Sequence, residues 1–582
     1  MGLLRAEVKK KTLFWYGLVG LAFLFYLYSV LSRIGQPLAE DELNWLVAAK
    51  NLSLTGRPYL YAYTFPGALG GAMSPHLYLY AIKFAFDLFG IHDAVARWPG
   101  ILSGFLTLIL VFLITRHFIG NEKKEAIPWA AITTLLYATT PAFVQGSVIL
   151  ENDNTLLVPA VLFLVFSFIK YQEKETTPWA LASGLAVAFS LGVRVTTPAV
   201  VMFLLGVYAL AGKSSLRSKF MVTAVMISGT LAFLVGWFAY CRLKEIPFSA
   251  PFAYTLRAFW YRASQAGGLR LDKIFLNFVY FTLWVGVFPT LLFLLLAIRR
   301  GVHFLTHRKA GFEGLFLITG LGIVGGYTLV GGLPFGFPKY HSPGIVLMVV
   351  FSGLALHQTN PSGLSSIRLR NAGMAIALAF LIQIFTLNDS LYLLRYQFRE
   401  ALVFASPGVY GAFLREVALK AGLYLFLFTI LFISCLKFSL IQNPCLLLIL
   451  SALGSNVATC TLQNSRGYQT GYEYGVRGTV EAARFIRDRV APRDFVVARS
   501  QIKYYLDRLR STHLVDAVWN DEEELTRIIR EPGTGAFSYS VATNPVDQIK
   551  RLSNYEPLQR LLRQEFDPHT IGSFKIWIRK KT

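Results

Sequence analysis

The chain has 582 residues, of which 54% are hydrophobic, 15% aromatic and only 15% charged. Soluble domains carry about a quarter charged residues, so this composition excludes a soluble protein and indicates a membrane one. The formal net charge of +23 is read as the cation excess that orients membrane helices, with no nucleic acid as partner.

Residues 1–12 are basic, with Arg5, Lys9, Lys10 and Lys11, and lead into the apolar run 13–32. A secretory signal would have a shorter apolar core and a small-residue cleavage site, so this run reads as an uncleaved anchor. Further candidate spans follow at 97–118, 127–144, 155–171, 178–193, 196–211, 220–241, 277–298, 313–332, 341–357, 371–387, 419–437 and 444–462. Each is about long enough to cross a bilayer, which makes thirteen crossings. Segment 42–55 has Leu43, Leu46, Val47 and Leu54 at helical spacing and reads as a surface helix. Segment 75–90 runs from Pro75 to Gly90, is interrupted by Lys83 and Asp87, and reads as a second helix lying on the membrane. The four cysteines, Cys241, Cys435, Cys445 and Cys460, lie in or near apolar runs and match no zinc spacing.

With the N-terminus inside, Lys and Arg concentrate in alternate connections. The short opposite loops 145–154, 194–195 and 333–340 hold only Arg194 and Lys339. That asymmetry makes the N-terminus cytoplasmic and puts loop 33–96, those short loops and the tail 465–582 on the outer face. The tail has a soluble composition and alternates helical stretches (478–490, 522–530, 552–564) with β-rich runs (495–498, 537–541, 573–578). The expected fold is thus a polytopic α-helical membrane protein with surface helices in the first outer loop. It divides into a membrane domain, 1–464, and a small α/β soluble domain, 465–582.

Four constellations gather on the outer face. Glu40-Asp41-Glu42 places three carboxylates where a helix begins. Capping electrostatics would need only one of them, so a base or a metal ligand is the sharper reading. Glu151-Asn152-Asp153 spaces two carboxylates to share a divalent cation, although Asn-Asp-Asn also favours a plain turn. Arg194, Lys339 and Tyr340 stand at helix ends, where cations bind phosphate by charge-assisted hydrogen bonds or simply snorkel to the interface. The aromatics Tyr59, Tyr61, Tyr63, Phe65, Tyr78, Tyr80, Trp260 and Tyr261 form an interfacial belt or stack on a sugar ring, and Arg262 follows them. His76 is a metal ligand or a structural histidine. Together a carboxylate base, cations and an apolar wall suit attack on a head group whose leaving group is a lipid phosphate. A transporter or flippase of lipid-linked saccharides is the alternative, but it calls for internal repeats and polar groups at mid-membrane.

In its motifs the chain resembles the membrane glycosyltransferases of the C-type fold, near the protein O-mannosyltransferases and the lipid A aminoarabinose transferase. The resemblance rests on Glu40-Asp41-Glu42 after the first span and on Ser74 to Tyr80, Ser-Pro-His-Leu-Tyr-Leu-Tyr. It continues through Ala96-Arg97-Trp98-Pro99, Glu151-Asn152-Asp153, Gly192-Val193-Arg194 and Lys339-Tyr340. It implies an inverting transfer from a polyprenyl- or dolichyl-phosphate sugar to a lipid, glycan or protein acceptor, outside the plasma (inner) membrane. It further implies Asp41 as catalytic base and Asp153 as the second acidic residue. Arg194 and Lys339 match positions where relatives carry a basic residue near the lipid phosphate; Tyr340 and Arg97 are further candidates at the donor phosphate, and Glu42, Tyr63 and Tyr78 are candidates at the substrate. A divalent ion (Mg, Mn or Zn) would be held by Glu151, Asp153 and His76. The chain departs from the pattern at Ser74, where many relatives have Lys or His before a Pro pair, and at His76, which replaces the second Pro. The Trp-Trp-Asp signature of oligosaccharyltransferases is absent.

Overall fold

The structure, a computed structural model, describes residues 2–36, 38, 40–58, 74–123, 125–211, 216–253, 256, 271–307, 312–330, 337–359, 369–387, 407–437, 441, 443–464, 478–491, 494–498, 500–506, 522–540 and 551–580. Its membrane part is built of helices α1 Gly2–Arg33, α4 Asp93–Ile119, α5 Ala126–Ala138, α6 Pro141–Val148, α7 Leu157–Lys174, α8 Thr177–Val193 and α9 Thr196–Ala211. They are joined by α10 Leu216–Lys244, α11 Leu271–Val285, α12 Val287–His307, α13 Phe312–Val330, α14 Ser342–Thr359, α15 Leu369–Leu387, α16 Pro407–Lys437 and α17 Pro444–Gln463. Between α1 and α4 lie two short helices, α2 Glu40–Thr55 and α3 Leu77–Phe89. At 13 residues, α3 is about 20 Å long, too short to cross a bilayer.

Among the described residues every expected span coincides with a helix or a bent pair of helices, and the chain is a multi-pass membrane protein. Among the described residues seven helices are long and apolar enough to cross by themselves. Shorter apolar helices, Thr177–Val193, Thr196–Leu210 and Arg370–Thr386, stand beside them. Two expected straight spans, 127–144 and 277–298, are instead each broken into a bent pair of helices. The first bends by 59° between α5 and α6. There Thr139 and Thr140 return their hydroxyls to the carbonyls of Leu135 and Leu136 (3.0 and 2.8 Å) and Pro141 opens the next helix, the usual causes of a kink. The second bends by 107° between α11 and α12. Gly286 sits at that break with φ +103°, a conformation that favours glycine, and a Cβ there would come within 2.4 Å of the Asn456 side chain.

The break after α5 sets the position of the carboxylate loop. All eight residues of α6 are buried, so the helix carries the chain inward and delivers residues 149–156 into the protein. Asn154 donates its side-chain amide to the carbonyls of Gly146 and Ile149, and the Thr155 hydroxyl returns to the Glu151 carbonyl at 2.6 Å. Ser103 on α4 holds the Thr155 carbonyl at 2.8 Å. Glu151-Asn152-Asp153 is therefore a buried, hydrogen-bonded loop rather than a plain solvated turn, with Asn152 and Asp153 fully enclosed.

The tail folds as a three-layer α/β unit. Its sheet has the order β1-β2-β4-β3, with β1 Phe495–Val497 parallel to β2 Thr534–Ser540 and the other pairings antiparallel. Strands β3 Phe566–Ile571 and β4 Phe574–Arg579 form a hairpin. Alternation along the strands gives two cores. Val496, Ala536, Phe574 and Ile576 face helices α18 Thr479–Arg487 and α19 Ser500–Leu506. Val497, Phe537, Tyr539 and Phe566 face α20 Glu522–Arg530 and α21 Glu556–Glu565.

Candidate active site

Three loops converge on one buried polar cluster. The loop after α6 brings Glu151, Asn152 and Asp153; the tight link between α8 and α9 brings Arg194; a 3-10 turn, Lys339–His341, opens α14 and brings Lys339 and Tyr340. Lys339 Nζ donates to Glu151 Oε2 at 2.7 Å, and Arg194 Nη1 to Asp153 Oδ2 at 2.5 Å. The same Arg194 nitrogen lies 3.4 Å from Asn152 Oδ1, while Asn152 Nδ2 holds the Val193 carbonyl at 2.8 Å, which pins the α8–α9 link to the carboxylate loop. The Tyr340 ring receives both cations, with the Arg194 guanidinium carbon 4.8 Å and Lys339 Nζ 5.1 Å from its centre. Tyr327 of α13 stacks on Tyr340 at 5.2 Å and bonds Thr197 at 2.8 Å. Burial alone would lower the Arg194 pKa, but the Asp153 carboxylate outweighs it and holds the group above its usual value.

A second knot lies beside the first. Glu42 Oε1 accepts from the Leu150 amide at 2.9 Å and stands 3.8 Å from Arg97. This pair ties the first turn of α2 to the residue preceding Glu151. Arg97 is fully buried and donates to the carbonyls of Arg33 (3.0 Å) and Gln36 (2.8 Å). Arg33 in turn donates to Gln145, Gln463 and Asn464 at 2.8–3.1 Å. Arg97 thus serves as an internal brace for the chain between α1 and α2. Glu42, expected at the substrate, takes part in the same brace. Tyr78 is also fully buried and meets Trp45 edge-on at 5.2 Å. Burial, reinforced by the Glu151 and Glu42 charges, raises its pKa and keeps its hydroxyl protonated.

Of the implied metal ligands, Glu151 and Asp153 share the cluster, while His76 is bonded elsewhere. His76 Nδ1 bonds the Tyr240 hydroxyl at 2.8 Å, and its ring meets Trp237 and Tyr240 edge-on. Glu151 and Asp153 each face a cation, so the pair as it stands offers no net negative charge to hold a divalent ion. Among the described residues no three His, Cys, Asp or Glu side chains form a metal-sized group. Asp41 lies in the first turn of α2, next to Glu42, with its side chain outside the described residues. Tyr59, Tyr61, Tyr63 and Phe65, with Trp260, Tyr261 and Arg262, lie outside them as well. Tyr327, Thr197, Asn152 and Arg33 join these networks without having been expected. Of these only Asn152 sits in a motif; the others are polar residues inside or ending apolar runs, which sequence alone reads as ordinary span residues.

The chain has counterparts among known proteins. Residues 73–238 match the family model for dolichyl-phosphate-mannose-protein mannosyltransferases. The fold over nearly the whole chain is similar to that of ArnT from Cupriavidus metallidurans bound to undecaprenyl phosphate, with a TM-score of 0.60 at 15% identity, covering 96% of this chain and 97% of that one. The apo state of the same protein is matched with a TM-score of 0.52 at 13% identity, over 96% of each chain. No curated protein sequence matches the chain. The likeness read from short motifs is therefore met twice, by the family pattern in the first half and by the fold over the full length.

Proposed function

We propose that the protein transfers a sugar from a polyprenyl-phosphate donor to an acceptor hydroxyl or amine on the outer face of the membrane. The observation that carries this reading is the convergence of Glu151, Asp153, Arg194, Lys339 and Tyr340 in one buried cluster beside the first turn of α2. The family match over residues 73–238 and the similarity to a protein that binds undecaprenyl phosphate support it.

The chemistry follows from the groups present. Asp41 removes the proton from the acceptor nucleophile as that atom bonds to the anomeric carbon. The bond from that carbon to the phosphate oxygen breaks, and the lipid phosphate departs with the electron pair. A single displacement of this kind inverts the anomeric centre. Lipid phosphate leaves as a stable anion and needs no general acid, but it needs cations in a dry site. Arg194 and Lys339 supply them, exchanging part of their bonding to Asp153 and Glu151 for the phosphate oxygens. Asp153 keeps Arg194 charged and aimed. Apolar helix faces around the cluster accommodate the prenyl chain.

Asp41→Asn removes the base while keeping size and hydrogen bonding. In purified, folded protein given a lipid-phosphate sugar, transfer falls by about 10²- to 10⁴-fold, the usual worth of a general base. Transfer at the wild-type rate overturns the assignment. If lipid-linked saccharide crosses vesicles without donor cleavage, the protein is a transporter and the enzyme reading fails.

A further inference from the structure

We infer that the C-terminal domain is a positioning clamp for α2, acting through Tyr504 and Tyr505 on the helix that carries Asp41. The inference deepens the donor-site reading and rests on it.

Among the described residues, helix α19 of the tail meets the first-loop helices. Tyr504 is 6% exposed and belongs to one apolar cluster with Leu43, Leu46 and Val47 of α2, Tyr78 and Leu79 of α3, and Leu150 of the carboxylate loop. Lys50 on α2 donates to the Tyr504 carbonyl at 3.2 Å and stands over the Tyr504 ring at 5.4 Å. Tyr505 donates its hydroxyl to Asp93 Oδ2 at 2.8 Å. Burial and that carboxylate raise the Tyr505 pKa, so the hydroxyl stays a donor.

The placement of these contacts is what gives them consequence. Asp93 and Arg97 are four residues apart on α4 and share a face. One therefore receives the tail while the other braces Glu42, the neighbour of Asp41. Lys50 grips the tail about two turns beyond Glu42 on α2 itself. Helices in proteins draw most of their stability from tertiary packing, so the setting of the 16-residue α2 depends on what packs over it. The tail supplies part of that packing and two polar anchors, one on α2 and one on the helix that braces it. Loss of an anchor lets the first turn of α2 drift, and displacement of a base by a fraction of an ångström reduces turnover without touching donor binding.

The experiment uses the full chain in detergent or nanodiscs, with Tyr505→Phe and Lys50→Met as variants. Tyr505→Phe removes one oxygen and leaves the ring. Amide hydrogen exchange in peptides covering 40–55 is expected to rise by about three- to tenfold, the worth of one hydrogen bond. The kcat is expected to fall by a similar factor while the donor KM stays at the wild-type value. Asp93→Asn combined with Tyr505→Phe is expected to lose no more than Tyr505→Phe alone. Faster exchange with unchanged kcat would reduce the tail to a scaffold and overturn the proposal, as would exchange in 40–55 that stays at the wild-type rate. A wild type that transfers nothing overturns the donor-site reading instead, and the exchange result then still decides whether the tail holds α2.

Discussion

Lys339 and Glu151 stand 2.7 Å apart with 8% and 5% of their side chains exposed, and Arg194 meets Asp153, which is fully enclosed. Desolvating such charges is tolerable only because each has its partner, and removing one partner leaves the other buried alone. Lys339→Met is therefore expected to cost about 3–5 kcal/mol of stability and to lower the thermal midpoint of the detergent-solubilised protein. Adding Glu151→Gln to Lys339→Met is expected to recover much of that loss, since no charge is then stranded, but not donor binding. Recovery of both would remove Lys339 from the phosphate site. The members of this cluster were legible as sequence, because carboxylates and cations in short loops between apolar runs are conspicuous. Their pairing was not: Glu151 and Asp153 read as equally suited to a shared metal, and only three-dimensional contact assigns one cation to each. The carbonyl contacts of Arg97 were hidden for a related reason, since an arginine at a helix start looks the same whether it faces a ligand or a row of carbonyls.

Helices were legible where local chemistry marks both length and ends. The start of α17 shows why. Asn443 accepts from the amides of Cys445 and Leu446 (2.9 and 3.3 Å), and Pro444 occupies the first helical position, where a missing amide costs nothing. Asn443→Ala is expected to remove about 1 kcal/mol, seen as a lower midpoint of thermal unfolding with transfer activity unchanged at room temperature. Breaks inside apolar runs were not legible. Thr139-Thr140-Pro141 and Gly286 sit in stretches whose hydropathy is continuous, and hydropathy carries no information about direction. Gly286→Ala is expected to destabilise more than Asn443→Ala, because it adds both a strained φ and a contact with Asn456. An equal or smaller effect in the same unfolding assay would mean that the bend relaxes. Strand β3 was missed because Asp567, Pro568, His569 and Thr570 lack alternation. Proline is tolerated at the sheet edge, where its partner lies on one side only.

At the scale of the molecule, the contacts put α2, α3, the carboxylate loop, the α8–α9 link, the 3-10 turn and the tail on one face, independently of any charge count. What the contacts leave open is which compartment that face meets, and here the sequence supplies the argument. Basic residues cluster at the opposite helix ends and connections, among them Arg116, Lys123, Lys170, Lys174, Arg217 and Arg300. The insertion machinery retains such residues inside, so we propose that the site face lies outside. A donor cleaved there must arrive already on its lipid, because a free nucleotide sugar would not be available to that face. The orientation is tested with the four native cysteines replaced and single cysteines introduced at Glu122, in the exposed α4–α5 connection, or at Glu524, on the exposed side of α20. In intact cells a membrane-impermeant maleimide is expected to label Glu524→Cys and to reach Glu122→Cys only after permeabilisation. The reverse pattern would put the carboxylates in the cytoplasm and require a different donor. Labelling of both positions from outside would mean that the helices do not alternate across the bilayer as the charge asymmetry requires.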